Sequence, residues 1–463
     1  MENNPIKIDL STDDYLPADT VAGEGPVVQP TPVTKEDRIG TIDMVRGFAL
    51  CGILLMNILG FSTDNMTFWK VIEGPHNNAD YITLGAIVSF FNGTMRGLFS
   101  MLFGAGMILF TLNKHERATG PRVADYYYRR LLWLVLFGVL NAYVLLWEGD
   151  ILFFYGLIGM VLYPFRKMAP KMLLFLGILC FLINSGKSYW NWTELKGKRV
   201  AYLEAVAAEK ENKKLTPKQE EAKAKWVEME KGFGPDSARS ARNLTKMHSG
   251  YGTIFEYFLP NNAGGEIWGT YHGIWDMLGM MLIGMGLFGL GFFSNKFSTA
   301  SYIMILLVGY IVGTTIGYVV FRDQQAQTNF TLYIDSYRVP HWVLYDLRRL
   351  LISSGHAALL MLIYRSRLLP WLMRGLANVG QMAFTNYLMQ SIICTLFFYG
   401  YGLDYYNKFR IHQVYYVVFA VWIFQLIFSS IWLRYFRFGP FEWVWRSLTY
   451  WKLQPMKLSK VED

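Results

Sequence analysis

From Met44 onward the chain alternates long apolar runs with short polar ones, and the runs have the length of membrane-crossing helices. An α-helix rises about 1.5 Å per residue, so roughly 20 apolar residues cross the roughly 30 Å of hydrocarbon in a bilayer. The pattern predicts spans over residues 44–62, 82–112, 130–147, 150–165, 171–189, 271–293, 300–321, 342–364, 378–400 and 412–433. The second run is long and carries Gly93, Gly97, Gly104 and Gly106, so it is tilted, broken or divided in two. The expected fold is an all-α integral membrane protein, a polytopic bundle of about ten transmembrane helices (eleven if the second run divides) with one extramembrane helical insert. Hydrocarbon offers the backbone no hydrogen bonds, so each segment must satisfy its own, as a helix does.

The same pattern divides the chain. Residues 1–37 are polar and contain Pro5, Pro17, Pro26, Pro30 and Pro32, which predicts a disordered tail with no signal peptide. An N-terminal transmembrane half (38–189) is followed by a charged insert (190–270), a C-terminal transmembrane half (271–437) and an interfacial tail (438–463). Thr216-Pro217-Lys218-Gln219 reads as a helix start inside the insert, with Gln219 closing a capping box and two solvated helices broken at Pro217. Basic residues cluster at alternate ends of the spans: Arg129 and Arg130, Arg166 and Lys167, Lys296, Arg365 and Arg367, Arg434 and Arg437. Lys114, Arg117 and Arg122 add to the first cluster. Positive charge stays on the cytoplasmic side, so both termini are expected there and the insert faces outward. The acidic turn Trp147-Glu148-Gly149-Asp150 falls on the outer side.

Composition narrows the classes. Of the 463 residues, 53% are hydrophobic and 17% charged, against about 25% charged in soluble proteins. The net charge of +9 comes from residues flanking apolar runs, with no basic patch bearing stacking aromatics, so nucleic acid is not an expected partner. Cys51, Cys180 and Cys394 lie inside apolar runs without metal-ligand spacing, so neither a metal site nor a disulfide framework is expected. No G-x-S-x-G, H-E-x-x-H or Walker-type motif is present, which leaves a soluble-type hydrolase or an ATPase without support.

Polar residues inside the spans carry the candidate chemistry, because ionisable groups in hydrocarbon call for a partner or a function. Asp43 and Arg46 open the first span, and Asn57 follows Arg46 by close to three helical turns, so the three share a face. They read either as an ion pair fixing the helix start or as a cationic mouth for an anionic ligand. Asn92, Arg96 and Ser100 line another face at intervals of four. Asn386 and Gln390 form a similar stripe, for which interhelical hydrogen bonding is the simpler reading. Toward the outer side come His76, Glu148, Asp150, His272 and Asp276, and the last two histidine and aspartate residues can meet on one helix face as an oriented base.

Five stretches carry a family resemblance. They are Arg38-Ile39-Gly40-Thr41-Ile42-Asp43-Met44-Val45-Arg46-Gly47-Phe48-Ala49-Leu50, running on to Asn57; Leu102-Phe103-Gly104-Ala105-Gly106; Gly149-Asp150-Ile151-Leu152; Gly380 to Ser391; and Gly439 to Arg446. In this order they resemble the YeiB-like bacterial membrane proteins, whose C-terminal part is the domain of unknown function 418. The N-terminal half is similar to membrane acyltransferases of the heparan-α-glucosaminide N-acetyltransferase type, which pass an acetyl group from cytoplasmic acetyl-CoA to a sugar across the membrane. The resemblance implies a bacterial inner-membrane protein using acyl-CoA as donor and an envelope or exported glycan as acceptor. It implies that Arg46 and Arg96 meet the donor, with Asp43 orienting Arg46. His76, or His272 in its place, becomes base or acyl acceptor, and Asn57 steadies the oxyanion. Asp150, Asp276, Asn386 and Gln390 complete the expected substrate contacts. Asn141 stands where many of these proteins have His, and Gln381 where they usually have Arg. Competing readings are a transporter for an anionic solute and a noncatalytic subunit of a membrane complex. A homodimer is compatible with any of them.

Overall fold

The computed structural model describes residues 40–112, 123–233, 236–327 and 329–458. The expected N-terminal tail and the basic residues Lys114, Arg117 and Arg122 lie outside the described residues. The described chain is helical: α1 (Gly40–Ser62), α2 (Asn65–Glu73), α3 (Ala79–Phe91), α4 (Thr94–Leu112), α5 (Val123–Tyr143), α6 (Leu152–Leu162), α7 (Pro170–Lys210), α8 (Pro217–Phe233) and α9 (Ser237–Met247). There follow α10 (Tyr251–Gly289), α11 (Thr299–Gln327), α12 (Phe330–Ser336), α13 (Tyr345–Ser366), α14 (Pro370–Gln381), α15 (Ala383–Phe398), α16 (Ile411–Trp432) and α17 (Pro440–Tyr450). Among the described residues the only β pairing is an isolated bridge between Phe436 and Lys457.

Six helical stretches are long and apolar enough to cross a membrane: Gly40–Ser62, Ala79–Thr111, Pro170–Lys210, Thr299–Gln324, His341–Ser366 and Ile411–Trp432. Ala383–Phe398 is apolar but shorter. Their outer faces are apolar. On α16, Tyr416, Phe419, Ile423, Ile427 and Ile431 are exposed while Val414, Val418, Val421, Gln425 and Ser429 are buried. On α11, Met304, Leu307 and Ile311 are exposed in the same way. Apolar faces of this extent belong in lipid rather than water. The chain is therefore a helical membrane protein.

Three departures from straight spans shape the interior. The long second run breaks at Asn92–Gly93, where Gly93 has φ +73, a conformation that favours glycine. α6 has 11 residues, about 16 Å, and starts inside the bundle because residues 144–151 fold back with Leu146 and Trp147 buried. α7 and α10, with 41 and 39 residues, are each about 60 Å long and continue unbroken past the expected insert boundaries near 190 and 270. The insert is thus the extension of two long helices of the bundle with α8 and α9 between them. The capping box before α8 is formed, with Gln219 accepting from the Thr216 N–H at 3.0 Å. Trp192, Trp226, Phe330 and Tyr333 give this outer region its own small core.

α1 runs through the centre of the bundle. It crosses the α14–α15 arm where Gly47 meets Gly380: a Cβ on Gly47 would lie 1.9 Å from the Leu376 carbonyl oxygen, and one on Gly380 would lie 1.8 Å from that of Asp43. Small residues let helix backbones approach when water supplies no hydrophobic drive. Because both obstructing atoms are backbone, neither can swing aside. Gly380→Ala is expected to lower the melting temperature in detergent clearly, whereas Gly186→Ala, whose Cβ would meet nothing within 4 Å, should leave it unchanged; a thermal-shift comparison of the two checks this.

Candidate functional site

The break at Asn92–Gly93 interrupts the α3–α4 run, and carbonyls on both sides of it take side-chain donors. α13 supplies them. Arg348 donates to the carbonyls of Val88 (3.3 Å) and Asn92 (2.7 Å), Arg349 Nε to Gly93 (2.9 Å) and Ser353 to Thr94 (2.6 Å). His356 lies 3.3 Å from the Phe90 carbonyl and 2.8 Å from the Tyr310 hydroxyl. Arg349 also pairs with Asp276 of α10, whose other oxygen takes Arg96 at 2.9 Å. Asp346 stands 4.0 Å from Arg349 and accepts from Asn184 at 2.7 Å. Two arginines therefore hold the Asp276 carboxylate, and His272 does not: its ring sits exposed against Trp268 and Tyr271.

Beside the break lies an outer cavity of about 350 Å³, lined by Asn57, Asn92, Arg96, Glu148, Asp150, Phe154 and Tyr345 among others. Asp150 is buried at the start of α6. Its carboxylate accepts from the Phe153 N–H at 2.9 Å and from Asn141 at 2.7 Å, with the Tyr387 hydroxyl at 3.4 Å. The fold-back of residues 144–151 places it there.

A second cavity of about 250 Å³ opens at the end of the bundle where α1 begins. Its polar lining includes Asp43, Arg46, Arg130, Gln381, Glu442 and Arg446. Its apolar lining includes Phe99, Leu102, Phe103, Leu131, Leu134 and Phe384. Arg46 is paired with Asp43 at 2.6 Å. Arg130 stacks over Trp445, 4.2 Å from the ring centre, and has no carboxylate partner among the described residues. Glu442 reaches from α17 to the start of α15, accepting from the N–H groups of Phe384 (2.7 Å) and Thr385 (3.0 Å) and from the Thr385 hydroxyl. Ile151 lines both cavities, so with Tyr155 and Tyr387 it forms the thin septum between them.

The structure thus brings Asp43 and Arg46 into the inner cavity and Asn57, Arg96 and Asp150 into the outer one, dividing the polar stripe of α1 between two chambers. Asp276 is reached only through Arg96. Asn386 and Gln390 line neither cavity: Asn386 donates to Val379 O and Ser429, and Gln390 to Leu50 O and Gln425, tying α15 to α1 and α16. His76 is exposed, stacked on Tyr81 with centroids 4.3 Å apart, and outside both linings. Sequence reasoning missed Arg130, Asp346, Arg348, Arg349, Tyr387 and Glu442. The triplet Asp346, Arg348 and Arg349 was visible as charge inside an apolar run, whereas Arg130 was counted only as a loop cation.

Comparison with other proteins bears on these features. Residues 287–452 match the family described as Protein of unknown function (DUF418). The chain is 30% identical over 439 residues to the uncharacterized protein YxaH of Bacillus subtilis (strain 168), covering 93% of this chain and 99% of that protein. It is 31% identical over 427 residues to the uncharacterized protein YeiB of Escherichia coli (strain K12), covering 89% and 96%. The chain belongs to the YeiB-like family. A 39.9 kDa protein from the amylase 3' region of Bacillus acidopullulyticus is similar at 25% identity over 432 residues. No solved structure matches. Each of the five stretches that carry the YeiB-like resemblance contributes wall to the inner cavity: Asp43 and Arg46, Leu102 and Phe103, Ile151 and Leu152, Gly380, Gln381, Phe384 and Tyr387, and Glu442, Trp445 and Arg446. Asn141 holds Asp150, and Gln381 donates to the Arg437 carbonyl at 3.3 Å.

Removing Arg349 would take one of two guanidinium partners from the buried Asp276 carboxylate and one of two donors from the Gly93 carbonyl. Breaking a buried pair costs about 3–5 kcal/mol and breaking an exposed one about 0–1 kcal/mol. Arg349→Met is expected to collapse folded yield and melting temperature in detergent, while Lys225→Ala, which loses an exposed pair with Glu221, should change neither. Equal melting temperatures for the two variants would refute this account of the break.

Proposed function

We propose that this protein is a membrane acyltransferase, moving an acyl group from a cytoplasmic acyl-CoA to an acceptor on the outer face of a bacterial inner membrane. The reading takes ten crossings: α1, the broken α3–α4, α5, α6, α7, α10, α11, α13, the α14–α15 arm and α16, with both termini cytoplasmic. The observation that carries it is the inner cavity, built from all five family stretches and lined by both arginines and a large apolar wall. That combination suits acyl-CoA, whose phosphates are anionic and whose pantetheine arm and acyl group are far less polar. Arg46 and Arg130 meet the phosphates, since a planar guanidinium can grip two oxygens. The thioester then reaches the septum at Ile151, and the acceptor approaches from the outer cavity, where Asn57 and Arg96 line the wall. His76 and His272, outside both cavities, take no part.

One observation favours a second reading. Arg96 stands beside a broken helix in a cavity closed from the other side by a septum, an arrangement that also suits binding of an anionic solute with alternating access.

The test is binding and turnover by the full chain in nanodiscs. Acetyl-CoA should bind, and Arg46→Ala and Arg130→Ala should each weaken binding about 10–100-fold, the range expected for one to three kilocalories from a charged hydrogen bond. Titration calorimetry reads the affinity and thiol release reads the turnover. Wild-type protein that neither binds acetyl-CoA nor releases thiol would refute the proposal, and anion uptake into proteoliposomes by the same preparation would support the second reading.

A further inference from the structure

We infer that Asp150 is the general base, and Tyr387 the proton relay, of a direct acyl transfer across the septum, without an acyl-enzyme intermediate. This rests on the acyltransferase reading above and adds to it where the chemistry happens and by which groups. Asp150 lines the outer cavity and Tyr387 the inner one, with 3.4 Å between the Tyr387 hydroxyl and Asp150 Oδ1. They are the two sides of one polar contact across the partition; the other joins the Tyr155 hydroxyl to the Arg96 carbonyl at 3.1 Å. The tyrosine hydroxyl also accepts from the Ile151 N–H at 3.1 Å, which leaves its proton for Asp150 or for a group in the inner cavity.

The carboxylate is fixed rather than adaptable. Asn141 holds Oδ1 and the Phe153 N–H holds Oδ2, so both oxygens are oriented by separate elements, α5 and α6. Gly138 makes the room, since a Cβ there would lie 2.7 Å from Oδ2. A base held so that its free lone pair faces a cavity meets the geometric condition for general-base catalysis. An intermediate on the protein needs a nucleophile at the same place. Among the described residues neither cavity is lined by His, Cys or Ser.

The step balances without a further reactant. The acceptor's hydroxyl or amine attacks the thioester carbonyl carbon from the outer cavity, and Asp150 takes its proton. Collapse of the tetrahedral species breaks the carbon–sulfur bond and leaves CoA thiolate in the inner cavity. Tyr387 gives its phenolic proton to the thiolate and recovers one from Asp150. The products are acylated acceptor and free CoA thiol, with both side chains restored.

The charged and titratable groups around Asp150 are Glu148, Arg96 and Tyr345 in the outer cavity, Tyr155 and Tyr387 toward the inner one, and Asp276 with Arg349 behind Arg96. A base role predicts that kcat/KM falls as pH drops through the titration of Asp150, and that Asp150→Asn removes this acid limb.

The experiment uses the full chain in nanodiscs with labelled acetyl-CoA as donor and glucosamine as an amine probe. Asp150→Asn should lower kcat about 100-fold or more, the lower bound of general-base contributions, with the KM for acetyl-CoA unchanged. Asp150→Glu should restore part of the rate. Tyr387→Phe should lower kcat without weakening acetyl-CoA binding. Labelled CoA should not exchange into acetyl-CoA when the probe is absent. Wild-type kcat in Asp150→Asn, or exchange without acceptor, would overturn the inference while leaving the acyltransferase reading intact. Wild-type protein that consumes no thioester would sink both. If Asp150→Asn fails to fold by size exclusion, Tyr387→Phe and the exchange measurement decide: wild-type kcat in the former or exchange in the latter overturns it.

Discussion

The interior depends on a set of backbone carbonyls around the break between α3 and α4. α13 delivers two guanidinium groups, a hydroxyl and an imidazole to that one place. The arginines bring charge, so they need Asp276, and Asp276 in turn holds Arg96 at the edge of the outer cavity. A local defect in one helix thereby fixes the relative positions of α3, α4, α10 and α13. The polar face of the outer cavity is a by-product of solving that backbone problem, which explains why so many charged groups lie buried in this bundle.

Much of the architecture was legible because the bilayer imposes a length on apolar runs. The periods that place α1, α7, α11, α13 and α16 follow directly from it. The Gly-rich second run advertised a break, but not its position or its donors: those come from α13, some 250 residues away in sequence, and no local pattern encodes such a pairing. The apolar run over 150–165 reads as one uniform span, whereas the α-helix covers only Leu152–Leu162 and the rest is a turn of 3-10 helix, Tyr163–Lys167. The insert boundaries were placed where composition turns polar, yet α7 continues there because a helix entering water needs no change in its hydrogen bonding.

The candidate site was legible in part. Asp43, Arg46, Asn57, Arg96 and Asp150 all face cavities, and each stood out as a polar residue in an apolar setting. Asn386 and Gln390 stood out for the same reason and serve as interhelical hydrogen bonds, since spacing cannot tell a cavity wall from a packed interface. The histidines drew notice through their chemistry, not their position, and both His76, in the turn before α3, and His272, on α10, lie on exposed surface. Arg130 escaped notice because a cation near a span end satisfies the charge bias of the cytoplasmic side whether or not it faces a cavity.

The capping of α15 by Glu442 has a consequence for biosynthesis. α15 and its neighbours are threaded into the membrane before α17 has been translated, so the first turn of α15 must wait with exposed amide groups until the last few dozen residues emerge. Arg129 and Trp445 close the same seam, through hydrogen bonds to the Thr449 and Arg130 carbonyls. A nascent chain arrested before residue 440 would therefore present the inner chamber open on one side, without Glu442, Trp445 or the Thr449 carbonyl that Arg129 meets.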